Sequence, residues 1–65
     1  MGNDGNKVEE IARSFLQQHH EVRNVRVTGF ENGIWSVDAE VHSSSGHSVK
    51  KLSIDDKTGK IISVD

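Results

Sequence analysis

The feature that most constrains this chain is a change of hydrophobic period near Glu21. Before it, Val8, Ile11, Ala12, Phe15 and Leu16 recur at i, i+3, i+4, i+7 and i+8, which is one apolar face of a helix. After it the period falls to two. Val25 and Val27 alternate with Asn24, Arg26 and Thr28, and Trp35, Val37, Ala39 and Val41 alternate with Ser36, Asp38, Glu40 and His42. Such alternation describes strands with one buried and one solvated face, the habit of antiparallel sheets. A chain with one helical stretch followed only by strands can close a core in one way, by laying that helix across the sheet.

The punctuation sharpens the reading. Asn6 with Glu9 has the spacing of a capping box, and His19-His20 suits the negative end of a helix dipole, so the helix is expected over residues 7–19. Gly29 is placed to carry a bulge that re-aims Phe30. Asn32-Gly33 is the strongest short hairpin signal. Ser43-Ser44-Ser45-Gly46 reads as a loop. Leu52 and Ile54 mark a third strand, in phase with Ser48 and Lys50 rather than Val49 unless a bulge near Lys50-Lys51 changes that phase, and Ile61–Val64 a fourth. Short links imply antiparallel neighbours. The expected class is therefore α+β, one N-terminal helix on a four-stranded antiparallel meander, α-β-β-β-β. A polar leader over residues 1–6 precedes a single domain over 7–65. The expected core comprises Val8, Ile11, Ala12, Phe15, Leu16, Val25, Val27, Trp35, Val37, Ala39, Val41, Leu52, Ile54, Ile62 and Val64.

Size and composition exclude several classes. Sixty-five residues bury only about 60% of the surface of the unfolded chain, and the absence of Cys removes disulfide and thiolate staples. No apolar run exceeds two residues, so no membrane span is expected. The polar start lacks the apolar middle of a signal peptide, which reads as cytoplasmic; a domain excised from a secreted, extracytoplasmic parent would look the same. Eight Lys and Arg against ten Asp and Glu form no basic stripe, and the chain holds one Trp, two Phe and no Tyr. Nucleic acid is accordingly not an expected partner.

The stretch Asp55-Asp56-Lys57-Thr58-Gly59-Lys60 admits two readings. Asp-Lys-Thr-Gly is how the phosphorylatable aspartate of P-type ATPases is introduced. That chemistry needs a parallel sheet, further carboxylates for magnesium and a distant Lys, and position 60 is Lys where the motif has Thr. As a turn the same residues are all accounted for: an Asp opens it, Thr58 bonds local backbone, and Gly59 takes positive φ. The turn reading is favoured.

The run VKKLSIDDKTGKIISVD over residues 49–65 resembles the C-terminal half of a PepSY domain: a strand ending in Ile-Asp, a Thr-Gly turn, and a strand opening on a basic residue then Ile. The helix and NGIWSVDAEV fit that family's helix and central hairpin in order, over residues 7–65. The resemblance implies a non-catalytic module that inhibits or modulates a protein partner. The stretch WSVDAEV, residues 35–41, is also similar to small accessory proteins of gas vesicles, without their following proline segment.

Remaining chemistry is sparse. His42 and His47 are expected to face each other across the 43–46 loop, with Glu40 as nearest third ligand, so a loose His-based metal site is an alternative function. Asp38 and Glu40 share a strand face without a cleft, and the loop serines near His47 lack an oxyanion hole. No catalytic residue, cofactor or metal is assigned. The expected function is a non-enzymatic protein- or peptide-binding module, with a structural or oligomerisation domain as the other alternative. The expected contact is the fourth-strand edge, Lys60, Ile61, Ile62, Ser63 and Val64, with Ile34 and Val49 completing a small apolar patch around Ile61. The occupant is a partner peptide or, in a weak homodimer, a second copy.

Overall fold

The computed structural model describes residues 4–65. The elements are α1 (Gly5–Leu16), β1 (Glu21–Glu31), β2 (Ile34–Ser43), β3 (Gly46–Asp55) and β4 (Ile61–Val64). The strands form one antiparallel sheet in the order β1-β2-β3-β4, and α1 lies over β1 and β2. This is the expected α-β-β-β-β arrangement. The face under the helix is the inner face; the opposite face is open.

The helix begins earlier and ends earlier than 7–19. Asp4 caps it, its Oδ1 accepting from Lys7 N at 2.8 Å. Asn6 therefore lies in the first turn, and no Asn6–Glu9 capping box forms. A carboxylate at this position also meets the positive end of the helix dipole. Half of the expected leader, residues 1–3, lies outside the described residues, and the other half is the cap and start of the helix. At the other end Gln17 caps the helix, donating to Arg13 O, and the amides of His19 and His20 both donate to Leu16 O. The two histidines thus belong to the turn after the helix. Burial falls on one row, Val8, Ala12 and Leu16, with Ile11 packed at its flank. Phe15, expected in the core, is 42% exposed. One helix on one side of a small sheet buries a narrow stripe, and Phe15 lies on its flank.

Strand β1 carries two bulges. Register slips between Val22 and Asn24, and again between Val27 and Gly29, so Arg23 and Thr28 are extra residues. The second is the bulge expected at Gly29, and it puts Phe30 opposite Trp35. The first was not foreshadowed. It brings Val22, opposite Val41, onto the inner face and into the packing around the core. Strand β2 alternates as expected: Val37, Ala39 and Val41 are buried and Trp35 is half-buried. Asn32 and Gly33 turn with φ of 54° and 75°, the two positive values a type I′ hairpin requires. The β2–β3 loop is tighter than 43–46. Ser43 pairs with Gly46, leaving Ser44-Ser45 as the connection. Strand β3 has the expected phase, with Leu52 opposite Val37 and Ile54 opposite Trp35, and Val49 exposed on the open face.

Strand β4 corrects the expected phase. Leu52 pairs with Val64, Ser53 with Ser63, and Ile54 with Ile61, with a slip between Ser53 and Ile54. One extra residue on β4 puts both Ile61 and Val64 on the inner face. Ile61 packs against the core; Ile62, expected inside, is 54% exposed, and Val64 is 39% exposed at the rim. The turn before β4 is built as expected. Lys57 N donates to Asp55 Oδ1 at 2.9 Å, Lys60 N to Thr58 Oγ1 at 3.2 Å, Gly59 N to Asp55 O at 2.8 Å, and Gly59 has φ 73°.

At that φ a β-branched side chain is strongly disfavoured, so Gly59→Val is expected to lower stability by at least about 1 kcal/mol. Gly29 is not at positive φ and a Cβ there meets nothing within 4 Å, so Gly29→Ala is expected to change stability by less than about 0.5 kcal/mol. Thermal melts of the two variants check the contrast; equal losses contradict the turn assignment.

Candidate functional site

The two edges of the sheet differ, and the difference comes from sequence. Edge β1 has eleven residues, two bulges, Arg26, and Arg23 in a 3.6 Å ion pair with Glu21. Bulges and charges are how edges resist pairing. Edge β4 has four residues against the ten of β3. Its ladder covers Leu52 to Ile54. Lys51 and Asp65 extend it by exchanging both backbone bonds, Lys51 N to Asp65 O at 3.2 Å and Asp65 N to Lys51 O at 2.7 Å. Among the described residues, no strand pairs with the outer side of Gly46–Lys50. Two open stretches result: the outer side of β4 and, one strand spacing inward and beyond the end of β4, the outer side of Gly46–Lys50 on β3.

The start of β4 is held by the turn, and the turn is held by Trp35. The indole Nε1–H donates to Asp56 Oδ1 at 2.8 Å, and Asp56 N donates to Gly33 O at 3.0 Å. The other side of the indole meets Phe30, ring centroids 4.5 Å apart and tilted by 39°. The Asp55–Lys60 turn is thereby docked on the β1–β2 turn. The carboxylate that a phosphoryl-transfer reading would use is engaged by an indole. Sequence reasoning assigned Trp35 to the core and missed this bond. The available signal was a half-buried Trp, whose N–H needs an acceptor.

The expected contact residues separate. Lys60 is exposed, and its carbonyl accepts from Asp55 N at 2.8 Å, which places it opposite Asp55 on the open face. Ile62, Ser63 and Val64 are exposed along β4. Ile61 is turned inward, so the apolar patch expected around it does not form. Ile34 pairs with Asp55 and Val49 with Glu40, near opposite ends of the β2–β3 ladder.

The histidines lie as expected in part. His42 and His47 are cross-strand partners, and His47 Nε2 is 3.1 Å from Glu40 Oε2. Among the described residues no group of three or more His, Cys, Asp or Glu is arranged to hold a metal ion. The open face also holds a polar depression of about 430 Å³ lined by Thr28, Ser36, Asp38, Lys51, Ser53, Ser63 and Asp65, with hydroxyls in cross-strand register and no histidine among the lining residues. No helix of the described residues is long and apolar enough to cross a membrane.

Comparison with known proteins returns no match: no family model fits the chain, and no curated protein and no solved structure is significantly similar to it. The fold and its edges define a small α+β domain, helix on meander, with one guarded sheet edge and one open one.

The Trp35–Asp56 bond has a charged acceptor and is partly buried. Asp56→Ala is expected to cost about 1.5–3 kcal/mol, and Asp56→Asn, which keeps an acceptor oxygen, distinctly less. In a double-mutant cycle with Trp35→Phe, urea titrations should show a coupling above about 0.5 kcal/mol. Additive losses would mean the bond contributes nothing beyond packing.

Proposed function

We propose that this chain is a non-enzymatic binding module that takes a protein or peptide partner by strand addition at β4, in the modulatory manner that the PepSY resemblance implies. The observation that carries the reading is the asymmetry of the edges. Backbone donors and acceptors on an open edge are satisfied by a partner's main chain, and alternate side chains supply selectivity. Lys60, Ile62, Ser63 and Val64 are the side chains such a partner meets along β4; Ile61 supports the strand from inside. Ile34, two strands away on the open face, lies outside that edge.

A non-catalytic role agrees with how the polar side chains are used. Glu40 is engaged by His47 and Asp56 by Trp35, and the hydroxyls of the open face lie in a polar depression with Asp38, Lys51 and Asp65 and without a histidine. The element order, helix then meander, is the order that the PepSY resemblance implies.

The test uses a displayed library of random extended octapeptides, with selected binders titrated into isotope-labelled protein. Amide shift changes are expected along Ile61–Val64. Binders whose changes fall on the exposed side of α1 or along β1, with β4 silent, would overturn the reading.

A further inference from the structure

The β4 edge is complementary to itself, and the geometry points to a second copy of this chain as its occupant. The inference rests on the reading of β4 as an open edge and names the partner.

Consider Lys60-Ile61-Ile62-Ser63-Val64-Asp65 laid antiparallel against the same segment of a second copy, about a two-fold axis perpendicular to the sheet. Centred between Ile62 and Ser63, the pairing sets Lys60 opposite the second copy's Asp65, and Ile61 opposite its Val64. Each contact occurs twice by symmetry. Opposite charges and apolar pairs directly across an antiparallel ladder are the favourable combinations.

Such a pairing also requires that opposed residues lie on the same face, and here the bulge decides. In a regular strand Lys60 and Asp65 are five apart and lie on opposite faces, as do Ile61 and Val64, three apart. The extra residue of β4 removes the conflict. Lys60 lies opposite Asp55 and Asp65 opposite Lys51, both on the open face. Ile61 lies opposite Ile54 and Val64 opposite Leu52, both on the inner face. The slip that spoils the regular phase of β4 makes the strand self-complementary at this one register. The axis passes through the bulge, so the ladder bonds fall on the flanking pairs.

The rest of the sheet continues through the contact. Arg26, Asp38, Lys51 and Asp65 form a row of alternating sign across the open face, ending on an acid at the edge. The Lys60 of a second copy is the next member of that alternation. On the inner face, the exposed rim of Val64 is covered by the second copy's Ile61. Edge β1 has an analogous register about its Arg23 bulge, Glu21 opposite Arg26 and Val22 opposite Val25, but there Glu21 is already ion-paired with Arg23, and a second bulge at Thr28 interrupts the strand. Broadening centred on residues 21–26 rather than 60–65 would overturn the assignment to β4. The product is a continuous eight-stranded sheet with both helices on one side. Its interface falls below the size class of stable dimers, so the association is a transient one.

Sedimentation equilibrium and amide line widths over about 20 µM to about 2 mM test this, a range suited to an interface below about 1,200 Å². The parent is expected to dimerise reversibly, with broadening centred on residues 60–65. Lys60→Asp and Asp65→Lys each convert two attractive pairs into two repulsive ones, so each alone is expected to dimerise roughly tenfold more weakly. An equimolar mixture of the two variants restores attraction at both contacts, and a heterodimer of near-parental affinity is expected. That rescue separates the interface from any loss of folding in either variant. A parent that stays monomeric to the top of the range, reversals without effect on dimerisation, or a mixture no tighter than the separate variants overturns the second copy as occupant. If the parent stays monomeric while selected octapeptides still shift β4, the strand-addition reading stands without this partner. If broadening maps to α1, and octapeptides leave β4 silent, both fall.

Discussion

Everything in this fold depends on the contact between one row of helix α1 and the strands β1 and β2 beneath it. Val8, Ala12 and Leu16 supply the helix side of the core, and Val25, Val37, Ala39 and Val41 the strand side. Ala12 and Ala39 are both fully buried. A small side chain on each surface lets a helix approach a sheet closely, and the larger neighbours then interlock around it. Among the described residues this cluster has no second core beside it. The helix is about 18 Å long and β2 about 34 Å, so the sheet outruns its cover. The Phe30–Trp35 pair, tied through Asp56 to the last turn, continues the packing along β2 by a different device.

Most of this was legible where the period was clean. Strand β2 alternates without interruption, and its burial follows its sequence residue by residue. Asn32-Gly33 and Gly59 declare their turns because few other residues tolerate those backbone angles. The phase of β3 was left open by the sequence, since a bulge near Lys50-Lys51 would have reversed it; the tight Ser43–Gly46 closure fixes it against β2 without a slip. What could not be read was any place where one residue is inserted. The bulge at Arg23 hides Val22, since spacing of three between inward valines looks like a broken strand. The bulge of β4 reverses the fates of Ile61 and Ile62, and two adjacent isoleucines carry no local signal to say which is inside. The helix start was misplaced for a related reason. Asp4 and Asn6 are both good caps, and hydrophobic spacing alone does not choose between them.

The candidate site was legible as an edge and illegible as a surface. That the fourth strand is short and uncharged in its middle is plain from the sequence. Which side chains it offers depends on the bulge, so the expected open-face patch of Ile34, Val49 and Ile61 dissolves. Of the Trp35–Asp56 bond only the need for an acceptor was legible; the acceptor itself was not, because the bond joins residues 21 apart through the packing of two turns. Only the docking of those turns brings donor and acceptor together.

The mismatch between a ten-residue β3 and a four-residue β4 divides the hairpin energetically as well as geometrically. Near Leu52 and Ile54 the strand is paired on both sides and its side chains are fully buried. Opening it there means losing the core. From Gly46 to Lys50 it is paired on one side and mostly exposed. That half can separate and reclose while the rest of the molecule stays native, so its amides exchange with solvent through local opening rather than through global unfolding. A β2–β3 hairpin that is continuous to the eye is thus two cooperative units, with the boundary near Lys51, where Asp65 makes the last cross-strand bonds.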